Sequence, residues 1–143
     1  MKVKELMTSP AVTIDPGETV AVAARQLTHY NIGALPVCTG DGKLCGMVTD
    51  RDLVIRCMAA NLDPEKTTVR QVMTGRVLSA DAQMDAGVAA HYMGREQIRR
   101  LPVTDNGKLC GMITLGDLAS REDSVMDAAD ALGDITNNLS SRW

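Results

Sequence analysis

Apolar residues recur along this chain in two rhythms. Val20, Ala23, Ala24 and Leu27 fall at i, i+3, i+4 and i+7, which predicts a helix with one buried face. Asp15-Pro-Gly-Glu18 precedes them with an acidic cap, a proline at the first position and a glutamate at the third, so the helix is expected to run from there to about His29. Residues 35–39 and 43–48 are short apolar runs joined by Gly40-Asp-Gly42, the pattern of a β-hairpin. A helical turn at residues 3–7, a brief strand at 11–14 and a second helix from Thr49 to about Ala60 complete this half.

The second half follows the same rhythm. Strands are expected near residues 77–79, 100–104 and 108–113, and helices near 83–96 and 115–121. Beyond them Ser124-Val-Met-Asp127 has the form of a capping box. Val125, Ala128, Leu132, Ile135 and Leu139 make one more apolar stripe, with Asp127, Asp130 and Asp134 crowding its flank. This stretch reads as a helix that covers the module or a partner subunit.

The two halves match in letters as well as rhythm. Val3-Lys-Glu-Leu-Met-Thr8 returns as Val69-Arg-Gln-Val-Met-Thr74, and Leu35-Pro-Val37 returns as Leu101-Pro-Val103. After one residue is dropped in a turn, Gly42-Lys-Leu-Cys-Gly-Met-Val-Thr49 returns as Gly107-Lys-Leu-Cys-Gly-Met-Ile-Thr114. This is an internal repeat. The chain therefore divides into a first repeat at 1–62, a second at 63–121 and an acidic helical tail at 122–143.

Composition changes the picture only by exclusion. With 45% apolar and 23% charged residues, the 143-residue chain is an ordinary globular one. A repeat of about 60 residues is marginal alone, so the copies are expected to share a core. A net charge of −3 speaks against a nucleic-acid partner, and no apolar run reaches the length of a membrane span. A soluble cytoplasmic protein is the expectation. Cys38, Cys45, Cys57 and Cys110 match no metal-knuckle spacing and read as buried free thiols, with no metal site.

The chemistry concentrates in Gly-Met-(Val/Ile)-Thr-x-x-Asp. Each copy is a strand ending in Thr49 or Thr114, with a helix starting at once and Asp52 or Asp117 in its first turn. Such a corner is expected to leave backbone N–H groups unpaired at the positive end of the helix dipole, where a phosphate can bind. The aspartate can accept two hydrogen bonds from a vicinal diol such as ribose, and Gly46 and Gly111 permit close approach along the preceding strand. Thr-x-x-Asp is equally a capping box, and both roles are compatible.

With these motifs in view, the chain resembles a tandem cystathionine-β-synthase-type (CBS) domain pair, a Bateman module. The resemblance rests on the two Met-Thr openings, on Ile32-Gly-Ala-Leu-Pro-Val37 and Ile98-Arg-Arg-Leu-Pro-Val103, and on the two Gly-x-x-Thr-x-x-Asp motifs, across about residues 1–121. It implies an α/β (α+β) fold of two β-α-β-β-α repeats packed sheet to sheet with pseudo-two-fold symmetry and clefts between them. It also implies a homodimer in which two modules form a disc. Carried over residue by residue, it assigns ribose and phosphate contacts to Thr49, Arg51 and Asp52 and to Thr114 and Asp117. The adenine pocket would draw on Val12, Thr13 and Ile14, and on Leu78, Ser79 and Ala80. Arg99 and Arg100, placed to reach phosphates, have Gly33 and Ala34 as counterparts in the first repeat, and Arg51 has Gly116 in the second. The two sites are therefore expected to differ in phosphate grip.

The expected function is a regulatory module that binds an adenosine-containing ligand (AMP, ADP, ATP or S-adenosylmethionine) without turning it over and needs no resident cofactor. The alternative is a ligand-free dimeric interaction scaffold in which Thr-x-x-Asp only caps helices. No nucleophile–base pair is legible, and His29 and His91 read as helix-surface residues, so an enzyme is not expected.

Overall fold

The computed structural model describes residues 1–120 and 125–140, with the side chains of 138–140 excepted. The capping box at Ser124, the helix end at Arg121 and the Leu139 side chain lie outside the described residues. The described chain divides into two compact units, one built from Val12–Val77 and the other from Met1–Ala11 with the chain from Leu78 onward.

The Val12–Val77 unit holds α1 (Val20–Tyr30), the antiparallel hairpin β1 (Ala34–Cys38) and β2 (Leu44–Thr49), then α2 (Asp50–Leu53), which runs on as a π-helical turn at Val54–Met58. A short α3 (Val69–Val72) closes it. Its core is Ile14, Val20, Ala23, Leu27, Leu35, Val37, Val48, Leu53, Cys57, Val69 and Val72.

Three expectations fail here. Asp15 does not cap α1; its Oδ1 accepts from Gly17 N–H at 2.8 Å in a local turn, and the helix begins four residues later with Thr19, whose hydroxyl accepts from Val22 N–H at 3.2 Å. The strand expected at 11–14 shrinks to one parallel bridge, Ile14 with Val37. On α1 itself the buried alanines are Ala21 and Ala23, and Ala24 faces out.

The other unit has a three-stranded sheet, β3 (Ala80–Asp81) parallel to β4 (Arg100–Asp105), which pairs antiparallel with β5 (Lys108–Thr114). β3 lies one to two residues beyond the span expected for it. The helices are α4 (Ala86–Glu96), α5 (Leu115–Ala119) and α6 (Val125–Ser140). α4 starts later than expected because Asp85 caps it, accepting from Gly87 N–H at 2.9 Å. α6 packs on α4 and α5 through the buried residues Ala128, Ala131 and Ile135.

Each unit takes its opening segment from the other repeat. Val3, at the head of the first repeat, is buried in the core of Leu101, Val103, Ile113 and Leu118. Its N–H donates to the Met84 carbonyl at 2.8 Å, and Thr8 pairs with Met112 on β5. Val69, at the head of the second repeat, is buried in the Val12–Val77 unit, where its N–H donates to Glu18 and Thr74 pairs with Met47 on β2. The Met-Thr letters that mark the repeat are thus edge segments closing the opposite repeat's hairpin.

Candidate functional site

The Thr-x-x-Asp corner is built the same way in both units. Each hairpin ends on a threonine in extended conformation, with ψ 164° at Thr49 and 163° at Thr114, and the chain turns at once into a helix. Thr49 Oγ1 accepts from Asp52 N–H at 3.1 Å, and Asp52 Oδ2 accepts from Thr49 N–H at 2.9 Å. Thr114 and Asp117 repeat this at 3.1 and 2.8 Å. Both are complete capping boxes.

That geometry corrects the expectation of unpaired N–H groups at the corner. Asp50 N–H donates to the Gly33 carbonyl and Leu115 N–H to the Arg99 carbonyl, each at 3.0 Å. Arg51 N–H donates to Asp50 Oδ1 at 2.8 Å. The leading donors of these short helices are largely consumed by the chain itself, so a ligand here would be held by side chains more than by the helix end.

One carboxylate oxygen stays off the cap in each copy. Asp52 Oδ1 faces the Arg56 guanidinium at 3.8 Å, and its side chain is 14% exposed. Arg56 Nη1 also donates to the carbonyls of Val72 and Met73 at 3.0 and 3.1 Å and to Thr74 Oγ1 at 3.3 Å. This residue was not among those expected at the site. It joins Asp52 to the closing Met-Thr segment, and the i,i+4 spacing of Asp52 and Arg56, repeated in letters by Asp117 and Arg121, was the available signal.

The remaining expected residues sort by unit. Val12, Thr13 and Ile14 share a unit with Thr49, Arg51 and Asp52; Leu78, Ser79, Ala80, Arg99 and Arg100 share one with Thr114 and Asp117. Ile14 and Ala80 are buried in their cores, Val12, Leu78 and Ser79 are half-buried, and Thr13 and Arg51 are exposed. Arg100 is the cross-strand partner of Thr114, and Arg99 supplies the carbonyl for Leu115, so both exposed arginines stand beside the Thr114–Asp117 corner. Gly33 and Ala34 occupy the same places at the other corner.

The glycines of the motif are crowded, but by the chain itself. A Cβ on Gly46 would lie 2.5 Å from Met73 Sδ and 3.1 Å from the Thr74 carbonyl oxygen. One on Gly111 would lie 2.6 Å from Met7 Sδ and 2.8 Å from the Thr8 carbonyl oxygen. The close approach foreseen for a ligand is made by the exchanged opening segments.

The cysteines are free, with Cys38 and Cys57 buried. Cys45 and Cys110 sit at equivalent points and each directs its thiol to a carbonyl, of Val37 and Val103, at 3.4 Å. Burial, with Cys45 close by, pushes the Cys38 thiol up from 9.0 to about 11. Among the described residues no three His, Cys, Asp or Glu side chains converge as a metal site, and no helix is long and apolar enough to cross a membrane.

This architecture, two hairpin-and-helix units each carrying the same capped corner at the end of its hairpin, is that of a duplicated ligand-binding module. The CBS domain family model matches the chain twice, over residues 3–58 and 69–124, and the chain belongs to that family as a tandem pair. It is 38% identical to the CBS domain-containing protein YhcV of Bacillus subtilis over 94% of this chain and 95% of that protein. Among solved structures it is similar to Hypoxic Response Protein I with two coordinated zinc ions, with a TM-score of 0.79 and 33% identity over 85% of this chain and 98% of that one. It is also similar to a hexameric CBS-CP12 protein from bloom-forming cyanobacteria, with a TM-score of 0.73 and 26% identity over 88% of this chain and 73% of that one.

Proposed function

We propose that the chain is a regulatory module whose two Thr-x-x-Asp corners hold the ribose of adenosine-containing ligands without chemical turnover. The observation that carries this reading is the duplicated corner, in which one aspartate oxygen completes the cap and the other stays off it, facing Arg56 at 3.8 Å in the Asp52 copy, where a ligand diol would compete for it. Asp52 and Asp117 accept the ribose hydroxyls, and Thr49 and Thr114 orient them through the cap. Residues 12–14 and 78–80 line the base. Arg99 and Arg100 beside Thr114 favour a di- or triphosphate at that corner, because guanidinium groups grip phosphate oxygens in pairs. The other corner, with Gly33 and Ala34 in their place and Arg51 as its nearby cation, takes the less phosphorylated ligand, AMP or S-adenosylmethionine. Ligand binding then biases one arrangement of the chain, which a partner reads. Self-association as a homodimer belongs to the same reading, in line with the oligomeric relative above.

A second reading, a ligand-free interaction scaffold, draws on the completeness of both capping boxes without any ligand. Thermal unfolding in the presence of AMP, ADP, ATP and S-adenosylmethionine separates the two. A ligand at 100 times its dissociation constant adds about 2.7 kcal/mol. Asp52→Asn with Asp117→Asn keeps an acceptor for each cap but removes the carboxylate, and is expected to abolish that gain. Arg99→Ala with Arg100→Ala is expected to weaken ATP at least tenfold more than AMP. No stabilisation of the wild type by any of the four, or full stabilisation of the double asparagine variant, would leave the scaffold reading standing.

A further inference from the structure

Arg56 divides one nitrogen among several acceptors. Its Nη1 lies 3.0 Å from the Val72 carbonyl, 3.1 Å from the Met73 carbonyl and 3.3 Å from Thr74 Oγ1, with Asp52 Oδ1 at 3.8 Å. A terminal guanidinium nitrogen carries two protons, so these acceptors compete for it. The two carbonyls come from the end of α3, and among the described residues no backbone N–H takes either. The carboxylate stands beyond hydrogen-bond distance, and with the Arg56 side chain 46% exposed the ion pair alone is weak. The guanidinium is therefore held by the carbonyls and pulled toward Asp52.

Local structure fixes both sides of this arrangement. α2 runs on from Asp52 into the π-helical turn, where Ala59 N–H reaches back to the Val54 carbonyl at 2.7 Å, and Arg56 stands on that turn. Single π-helical turns recur at functional sites. Opposite it, Met73 N–H donates to the Val69 carbonyl at 2.9 Å, and Thr74 exchanges backbone hydrogen bonds with Met47 on β2 at 2.8 and 3.0 Å. All these residues belong to the Val12–Val77 unit, yet Asp52 comes from the first repeat and residues 72–74 from the opening of the second. Asp52 makes its hydrogen bonds to Thr49, so Arg56 is its link to that segment.

We infer that Arg56 is a positioning residue that couples the Asp52 corner to the opening segment of the second repeat. Its guanidinium is shared between Asp52 Oδ1 and the acceptors of residues 72–74, so whatever engages one side changes what is left for the other. This coupling belongs to the chain without ligand. Joined to the ribose reading above, on which its regulatory half rests, it makes the corner a sensor. A diol that donates to Asp52 Oδ1 weakens the pull on Arg56 and leaves the guanidinium to the carbonyls, which firms the segment closing the hairpin. By reciprocity, a segment that holds Arg56 well leaves Asp52 open to the diol.

Urea unfolding of the full chain tests the coupling with no ligand present. Asp52→Asn keeps an acceptor for the cap and loses the charge, and Thr74→Val loses only the hydroxyl acceptor. Because both act on one guanidinium, the unfolding constant of the double variant is expected to depart at least about threefold from the product of the two single effects. In an Arg56→Met background the two changes are expected to multiply without that excess. Arg56→Gln, neutral and shorter, takes its place if circular dichroism shows Arg56→Met unfolded, and is expected to lose the excess too. Adenosine, which brings the diol without a phosphate, tests the regulatory half by calorimetry. Thr74→Val is expected to weaken its binding and Arg56→Met to tighten it, each at least about threefold, opposite signs that a general loosening of the fold does not produce. Single effects that simply multiply in the presence of Arg56 overturn the inference, and so does an excess that survives its removal. No binding of adenosine by the wild type or by Arg56→Met counts against the ribose reading alone, and the unfolding cycle still decides the role of Arg56.

Discussion

Gly46 and Gly111 show how a single missing side chain sets the path of a distant segment. Each lies under a methionine and a backbone carbonyl from the opposite repeat's opening, and the carbonyl cannot rotate away as a side chain would. Gly111→Ala, with Thr8 oxygen 2.8 Å from the new carbon, is therefore expected to destabilise by about 1–3 kcal/mol in urea unfolding. Gly46→Ala, whose nearest carbonyl oxygen stands farther off at 3.1 Å, is expected to cost less. Cys38 offers a pH reading at the same scale. Its thiol ionises near 11 in the folded chain but at 9.0 when unfolded, so the unfolded state sheds its proton first as pH rises. Stability is expected to fall between about pH 9 and 11, and Cys38→Ala should flatten that slope in denaturation series at fixed pH.

At the scale of elements, the hairpins and the capped corners were legible because each rests on local chemistry. Strand periodicity, turn glycines and Thr-x-x-Asp all act within a few residues. The start of α1 was not legible in that way. Asp15-Pro-Gly-Glu18 has every mark of a helix start, yet the opening of the second repeat pairs there: Val69 N–H donates to Glu18 and Arg70 N–H to Pro16. Those carbonyls are committed to a segment some fifty residues away, and the helix waits for Thr19. The corner was legible as far as its letters; that its N–H groups are already used, and that Arg56 reaches on from Asp52 to the Met-Thr segment, needed three dimensions. α6 provides the test at this scale. Ala131 is 2% exposed with its backbone against Gly94, so Ala131→Leu overpacks the α4–α6 crossing. A loss of about 1–3 kcal/mol is expected in thermal or urea unfolding.

For the whole molecule, the compact units and the sequence repeats are different divisions of one chain. The repeats are read from letters, the units from contacts, and the offset between them is the exchanged opening segment. Residues 1–66 and residues 12–77 are equally long, but only the second contains both a hairpin and the segment that closes it. The fragment 12–77 is expected to unfold cooperatively, at the marginal stability usual for its size, whereas 1–66 is expected to lack a transition as a monomer. Circular dichroism with urea checks both.

The exchange also orders events during synthesis. Val12–Val77 is one continuous stretch, so everything it needs has left the ribosome once Val77 has. The segment ending at Thr8, made before that unit, must wait for Met112 before it has a strand to join. At about 5–20 residues per second it stays unpartnered for several seconds after it is made. A segment made before the Val12–Val77 unit thus finds its place after it.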